Sequence, residues 1–351
     1  MPEIGQKGRV AMGSGLWSAS VYDAAAAHRA ATGAPAFAYS AHTFGTTPRS
    51  AWTAHPKLDP RGVRLRESRD SGEHPRSRAV TVLFDVTGSM HTIPQRLQAK
   101  LPELLGLLLR KGYLAHPQIM FGAIGDATCD AVPLQIGQWE SDNRMDEDLE
   151  RIFLEGGGGG QATESYELAL YFMARHTAID CYEKRGEKGF LFLIGDEMAY
   201  PRVKRGEVQR VIGDRLQEDI PVAQIVAELR ERFHVYYLLP STAHHGGERQ
   251  ILDFWRGLLG QHVIELDDPD TVCEAIALLI GLHEGVDLAA GVDDLKDFGV
   301  DGSTARSVST ALAPVAAGLA ASGGGTVVRA EGGALAELAD LAVASGGGRR
   351  L

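Results

Sequence analysis

The sequence contains few cysteines, few aromatic residues and no long apolar run. It has 3 cysteines in 351 residues, at Cys129, Cys181 and Cys273, and 7% of its residues are aromatic. Cysteines this far apart, without a CxxC pair, argue against a disulfide framework and against a thiolate zinc site. Such cysteine usage is typical of a reducing, cytoplasmic setting, which we therefore expect.

The apolar runs are too short for a membrane protein. A membrane-spanning helix needs about 18–20 consecutive apolar residues, and no run approaches that length. Residues 1–15 also lack the apolar core of a secretory signal peptide. We expect a protein that neither spans a membrane nor is secreted by an ordinary leader.

Positive charge is also scarce. Lys+Arg is 35 against Asp+Glu 46, which gives a formal net charge of −11. Phosphate backbones repel a uniformly acidic chain, so general nucleic-acid binding is disfavoured. An acidic chain instead attracts metal cations and basic surfaces. The 44% hydrophobic and 23% charged residues are typical of a folded protein rather than a disordered one.

Composition divides the chain into three parts. Residues 1–78 form an N-terminal extension with an Ala-rich helix at 20–32 and a proline-rich, charged linker. Residues 79–286 carry short apolar runs that alternate with helical patterns. Residues 287–351 form an Ala/Gly-rich tail, which we expect to form weak helices that add little to the core. Four apolar residues of this tail follow a helical stripe: Val308, Leu312, Val315 and Leu319.

The alternation of strands and helices in residues 79–286 predicts an α/β fold. The strands are continuous apolar runs, which indicates burial on both faces. Such βαβ units form a mostly parallel sheet with helices on both faces. A turn at 126–130 indicates that one strand returns in a hairpin. The predicted strands are 79–84, 119–124, 132–136, 190–194, 235–239 and 263–266.

The segment DVTGSM (85–90) directly follows the first predicted strand. Ligands of open parallel sheets bind at the carboxyl ends of the strands. Asp85, Thr87 and Ser89 present one carboxylate and two hydroxyls from a single short loop. Oxygen ligands of this kind suit Mg²⁺, Mn²⁺ or Ca²⁺, so this loop is the first part of a candidate metal site.

This loop resembles the first metal-site loop, Asp-x-Ser/Thr-x-Ser, of the von Willebrand factor A (vWA) domain family. Two further segments match that family in context: GGGGGQATESYELAL (156–170), with Thr163 as candidate ligand, and FLFLIGDE (190–197), with Asp196. The resemblance covers residues 79–286. It implies a Rossmann-like, mostly parallel sheet of about six strands with one antiparallel edge strand.

Both later loops depart from the family pattern. Gln161 and Ala162 separate the glycines from Thr163, so Ser165 remains an alternative to Thr163 as the ligand. The third loop reads GDE where the family usually has TDG. Glu197 is therefore an additional carboxylate, which binds metal, repels an acidic ligand or faces solvent.

The resemblance implies a metal-ion-dependent adhesion site. In such a site, hydroxyl groups contact Mg²⁺ directly, with Mn²⁺ or Ca²⁺ as alternatives, and the aspartates contact the ion mainly through bound waters. A carboxylate of a partner protein fills the open coordination position. Neutral hydroxyl ligands leave the cation under-neutralised, so it still attracts an anion. The resemblance further implies an intracellular, bacterial-type adaptor or scaffold rather than an enzyme, with a MoxR-type AAA+ ATPase as one expected partner.

Two other functions stay open from the sequence. A metal-dependent enzyme would need a general base near the metal, for which Glu197 and His91 are candidates. A structural assembly protein would use the N-terminal extension and the tail, and its metal site would be vestigial. Phosphate-loop and HExxH motifs are absent, and no G-x-S-x-G hydrolase motif surrounds Ser89. Asp126 and Asp130 lie on the same rim, where turn preference explains them.

Overall fold

The strands of the central sheet coincide with the apolar runs of the sequence. The fold is described by a computed structural model, which covers residues 15–90, 92–157, 162–240 and 249–322. Within these ranges the strands are β1 Arg66–Ser68, β2 Arg78–Asp85, β3 Pro117–Ile124, β4 Leu134–Ile136, β5 Thr163–Glu164, β6 Thr177–Ile179, β7 Gly189–Ile194, β8 Met198–Ala199, β9 Arg202–Val203, β10 Ile220–Pro221, β11 Phe233–Pro240 and β12 Val263–Leu266.

The central sheet has six strands in the described ranges, in the order β12-β11-β7-β2-β3-β4. Neighbouring strands are parallel, except that β4 runs antiparallel to β3 at the edge. This confirms the predicted α/β fold with its antiparallel edge strand. Because β2 lies between β7 and β3, the loop after β2 leaves the carboxyl edge of the sheet near its middle.

Helices cover both faces of this sheet. In the described ranges they are α1 Ala19–Thr32, α2 Ala38–Thr46, α3 Ile93–Arg110, α4 Arg144–Glu150, α5 Tyr166–Arg175, α6 Asp180–Arg185, α7 Arg205–Val211, α8 Val222–Arg232, α9 Arg249–Leu259, α10 Val272–His283, α11 Leu288–Asp297 and α12 Gly302–Ser322. One hydrophobic core holds residues of α3, α10 and α12, and a second core on the other face holds residues of α5, α8 and α9. No helix in the part of the chain that the structure describes combines the length and apolarity that membrane crossing needs.

The N-terminal extension packs against the sheet rather than standing apart from it. The predicted helix at 20–32 is present as α1, and it ends at Gly33, whose φ of 68° is the left-handed conformation that glycine adopts easily. The Tyr22 hydroxyl of α1 donates to the main-chain oxygen of Gln98 in α3. Phe37 and Leu58 are buried in the same core as α3.

The expectation that the tail adds little to the core is wrong for residues 288–322. The stripe residues Val308 and Leu312 are fully buried, and Val315 is almost so. They join the core on the α3 side, and α12 also contacts α10, α11 and β12. Small side chains do not prevent this packing, because three large residues at helical spacing fall on one face. Residues 323–351 lie outside the described ranges.

We expect Leu312→Ala to lower the free energy of unfolding by about 2–5 kcal/mol. Truncation of a fully buried leucine removes its burial and leaves a cavity. Urea denaturation, followed by circular dichroism, measures the change. Thr310→Ala is the control on the same helix, because Thr310 is exposed and bonds only the preceding turn at Arg306. Equal stability of the two variants would show that α12 does not contribute to the core.

Candidate functional site

Asp85 is the last residue of β2, and its carboxylate is fully buried. Its Oδ1 accepts the Thr87 amide N–H at 2.7 Å and the Thr87 hydroxyl at 2.5 Å. Its Oδ2 accepts the Tyr166 hydroxyl at 2.9 Å. The Thr87 hydroxyl therefore gives its hydrogen to Asp85, which fixes the orientation of the hydroxyl oxygen beside the carboxylate.

The glycine-rich run lies against the loop after β2. The Gly88 amide donates to the main-chain oxygen of Gly157 at 3.0 Å, and the Gly156 amide donates to that of Val86 at 3.3 Å. A Cβ atom at position 157 would lie 2.1 Å from Oδ1 of Asp130, so only glycine fits there without a shift. Gly157 thus gives the backbone room beside Asp130, whereas a Cβ at position 156 would meet no atom within 4 Å and Gly156 instead adopts a left-handed φ of 66°. Residues 158–160 lie outside the described ranges.

A short parallel ladder joins the second and third loops. In this ladder Thr163 pairs with Met198 and Glu164 with Ala199, and the Met198 amide donates to the Ala162 oxygen at 3.1 Å. The pairing places Thr163 beside the loop that carries Asp196. Thr163 thus lies in a strand, and the following helix α5 begins only at Tyr166.

Asp196 lies close enough to Asp85 for their charges to interact. The strands that lead to them, β7 and β2, are neighbours, with Ile194 opposite Phe84. Asp196 is fully buried, and its charge is among the causes that raise the pKa of Asp85. Beneath this loop, the Tyr237 hydroxyl and the Trp255 indole N–H both donate to the Glu197 main-chain oxygen at 2.9 Å.

The two alternative ligands in the second loop differ in their surroundings. The Ser165 hydroxyl is buried and accepts the Ala127 amide at 2.9 Å, so it already holds the turn that follows β3. Thr163 is partly exposed. This difference favours Thr163 over Ser165. The main chain of Ser89 lies in the turn Gly88–Met90, whereas its side chain and all of His91 fall outside the described residues.

Asp126 and Asp130 form the turn after β3, as the sequence indicates. Asp126 accepts the Thr128 amide at 2.8 Å and the Thr128 hydroxyl at 2.7 Å. Oδ2 of Asp130 accepts the Asp126 amide at 2.7 Å. The Tyr200 hydroxyl also lies 3.2 Å from Asp126, so the turn is tied to the segment that follows β8.

Burial dominates the electrostatics of the site. Burial, together with the charge of Asp196, raises the pKa of Asp85 to about 7, although its bonds from Thr87 oppose the shift. Burial also raises the pKa values of Glu164 and Glu197, and neighbouring carboxylates raise them further. The pKa of Tyr166 is raised well above 10, so its hydroxyl stays protonated and donates to Asp85. The charged forms of Asp85, Glu164 and Glu197 are therefore disfavoured by their surroundings.

The residues present fit a hard cation by their chemistry. Within the described ranges, no three His, Cys, Asp or Glu side chains lie together in a way that could hold a metal ion. The predicted ligand set does not require three, because it combines the two carboxylates of Asp85 and Asp196 with hydroxyl oxygens. Oxygen-only donors and clustered buried carboxylates match the preferences of Mg²⁺ and Ca²⁺.

Sequence reasoning missed three residues of the site. Tyr166 is bonded to Asp85 although 81 positions separate them. Gly195 leaves room for that bond, because a Cβ at this position would lie 1.7 Å from the Tyr166 hydroxyl. Glu164 is buried beside the predicted ligand Thr163. One signal for them was present in the sequence. Gly195, directly before Asp196, takes the place of the threonine in the usual TDG pattern of the vWA family.

We expect Gly195→Ala to destabilise the protein by about 1–3 kcal/mol, the usual cost of overpacking a core. The new methyl group would push the Tyr166 ring away and remove the donor to Asp85. Thermal and urea denaturation measure the loss. Combining the substitution with Tyr166→Phe removes the closest clashing atom, so the double variant should regain part of the stability.

Gly206→Ala is the matched control for that substitution. A Cβ at position 206 meets no atom within 4 Å, and the residue lies in α7. Alanine is preferred over glycine in helices, so this variant should be as stable as the unchanged protein or slightly more so. A stable Gly195→Ala protein would show that the Tyr166 position is not constrained by residue 195.

Comparison with known proteins finds solved structures of low similarity. No protein-family model and no curated protein matches the chain. Similar solved structures include the pilus adhesin SpaC from Lactobacillus rhamnosus GG in its open conformation, at 10% identity and a TM-score of 0.40, over 62% of this chain and 31% of the adhesin chain. Another is proximal thread matrix protein 1 from the mussel byssus, at 11% identity and a TM-score of 0.39, over 61% of this chain and 48% of the matrix protein. The chain thus spans less than half the length of either structure, and at this similarity neither bears on its function.

Proposed function

We propose that this chain is a metal-dependent protein-binding module of the vWA type, an adaptor or scaffold that captures an acidic residue of a partner protein. The observation that carries the proposal is the Asp85 site at the carboxyl edge of the sheet. There, a buried carboxylate, the hydroxyl that donates to it and the loops of Thr163 and Asp196 come together.

The proposed ligands are those of the sequence: Asp85, Thr87, Ser89, Thr163 and Asp196. The hydroxyls would contact a Mg²⁺-type ion directly, and the aspartates would contact it mainly through bound water. When bound, the ion supplies an electrophilic position for an oxygen anion. The hydrogen bond from the Thr87 hydroxyl to Asp85 supports these separate roles of hydroxyl and carboxylate. The carboxylate accepts the hydrogen and thereby orients the hydroxyl oxygen.

The remaining residues of the site hold the ligands in place. Tyr166 fixes the second oxygen of Asp85, and Gly195 gives its ring room. Gly156 and Gly157 bring the glycine-rich loop against the loop after β2. These contacts order the site before a partner arrives, which lowers the entropy lost on binding.

The setting and the partner class belong to the same proposal. We propose a cytoplasmic protein, because Cys129, Cys181 and Cys273 form no disulfide with one another, which fits a reducing compartment. A MoxR-type AAA+ ATPase is the partner class that the resemblance favours. The net charge of −11 would repel an acidic partner at long range, so the contact would depend on the metal itself.

We expect millimolar Mg²⁺ or Mn²⁺ to raise the melting temperature, and Asp85→Asn to abolish the rise. An ion that binds only the folded state adds about 2.7 kcal/mol at a hundredfold excess over its Kd. In EDTA the variant should be at least as stable as the unchanged protein, because the amide keeps an acceptor for Thr87 without a buried charge. Differential scanning calorimetry in EDTA and in Mg²⁺ measures both effects.

Asp293→Asn is the control for charge removal as such. Asp293 is exposed on α11 and pairs with Lys296 in the same helix. It should keep the full response to Mg²⁺. An equal response of Asp85→Asn and the unchanged protein would contradict the proposed site.

We expect partner capture to require both the metal and the site. Pull-downs from native lysate in Mg²⁺ should recover a protein that is lost in EDTA and with Asp85→Asn or Thr163→Ala, but kept with Asp293→Asn. Changing one acidic residue of the recovered partner to its amide should also abolish binding, since the shape is kept and the charge is removed. Binding that survives EDTA and both site variants would indicate docking on the N-terminal extension or the tail, and the adhesion-site function would be wrong.

A further inference from the structure

Glu164 is a buried carboxyl group that the proposed adhesion site does not use. Its side chain is fully buried, at the end of β5. No N–H or hydroxyl group of the described residues donates to either of its two carboxylate oxygens. A buried carboxylate without donors is strongly disfavoured, so a positively charged partner at this position would be favoured.

The groups around Glu164 that act on it most strongly add negative charge. The groups that act on it most strongly by their charge are Asp85, Glu197, Asp126 and Asp130. The Glu197 side chain lies beside it and is itself nearly buried. The two glutamates are brought together by the ladder of β5 and β8, in which Glu164 pairs with Ala199, two residues after Glu197.

We infer that Glu164 and Glu197 bind a second divalent cation of the Ca²⁺ type, beside the proposed adhesion site and separate from it. Glutamate carboxylates bind Ca²⁺ through one or both oxygens, and main-chain carbonyls and water commonly complete its shell. Two carboxylates neutralise one divalent ion, whereas the adhesion-site ion is left under-neutralised by its hydroxyl ligands. The second ion would therefore be held by this chain alone.

This inference also deepens the proposed function, and in that respect it rests on it. Glu164 directly follows Thr163, and Glu197 directly follows Asp196. An ion between the glutamates would hold together the two loops that carry these proposed ligands. Loss of the second ion would remove that link and leave the short ladder of β5 and β8, together with the bond from the Tyr200 amide to Glu167, between the two segments.

The experiment counts bound ions on the full chain. Chelator-treated protein is titrated with Mn²⁺ alone, and free Mn²⁺ is measured by electron paramagnetic resonance. We expect two ions for each unchanged chain and one ion for Glu164→Gln. We expect one ion also for Asp85→Asn, and none for the variant that combines Asp85→Asn with Glu164→Gln. Glutamine keeps the shape of the side chain, and Glu197→Gln provides a second variant with the same expected loss should Glu164→Gln fail to fold.

Glu167→Gln is the matched control. Glu167 is also a fully buried glutamate, and it lies in α5, three residues after Glu164. Its carboxylate accepts the Tyr200 amide at 3.3 Å, a bond that glutamine preserves. It should bind two ions.

The outcomes separate the two proposals. One ion in the unchanged protein that persists in Glu164→Gln and is lost in Asp85→Asn would overturn the second site and leave the adhesion site standing. One ion lost in Glu164→Gln but kept in Asp85→Asn would support the glutamate site and overturn the adhesion site. A single ion lost in both variants would mean one shared site and would overturn the inference. Binding of no ion, with a proton held between the glutamates, would overturn both.

Discussion

The buried carboxylate of Asp85 is the constraint on which the candidate site depends. It ends the central strand of the sheet and receives three hydrogen bonds, two from Thr87 and one from Tyr166. These bonds tie the loop after β2 to the start of α5, and so connect two of the three loops directly. A carboxylate in this position is tolerable because it is hydrogen-bonded, yet burial still raises its pKa to about 7.

The other acidic groups add to that constraint instead of relieving it. Asp196, Glu164 and Glu197 lie on the loops beside Asp85, and each is buried. Protons or cations would relieve their mutual repulsion, and a hard divalent cation is the alternative that the proposed function requires. Under that proposal, the same concentration of negative charge would repel a partner's carboxylate unless an ion lay between them.

The packing of the ends of the chain has a different physical basis. Tyr22 and Phe37 in the N-terminal extension, and Leu312 in α12, belong to the core that covers one face of the sheet. The composition of the tail suggested little buried area, because alanine and glycine dominate it. A few large side chains at helical spacing were enough, since burial depends on where they fall on the helix and not on their number.

The sequence by itself determined the six strand runs, the α/β class and the position of DVTGSM after the central strand, because these depend on local patterns of period and turn chemistry. It also named Asp85 and Thr87, which the structure joins by hydrogen bonds. Only the tertiary structure decided that Tyr166 donates to Asp85, that residue 195 must be glycine, and that Glu164 meets Glu197. Those contacts join residues far apart in the chain, and they follow from the order of the strands in the sheet, which depends on pairing between distant segments.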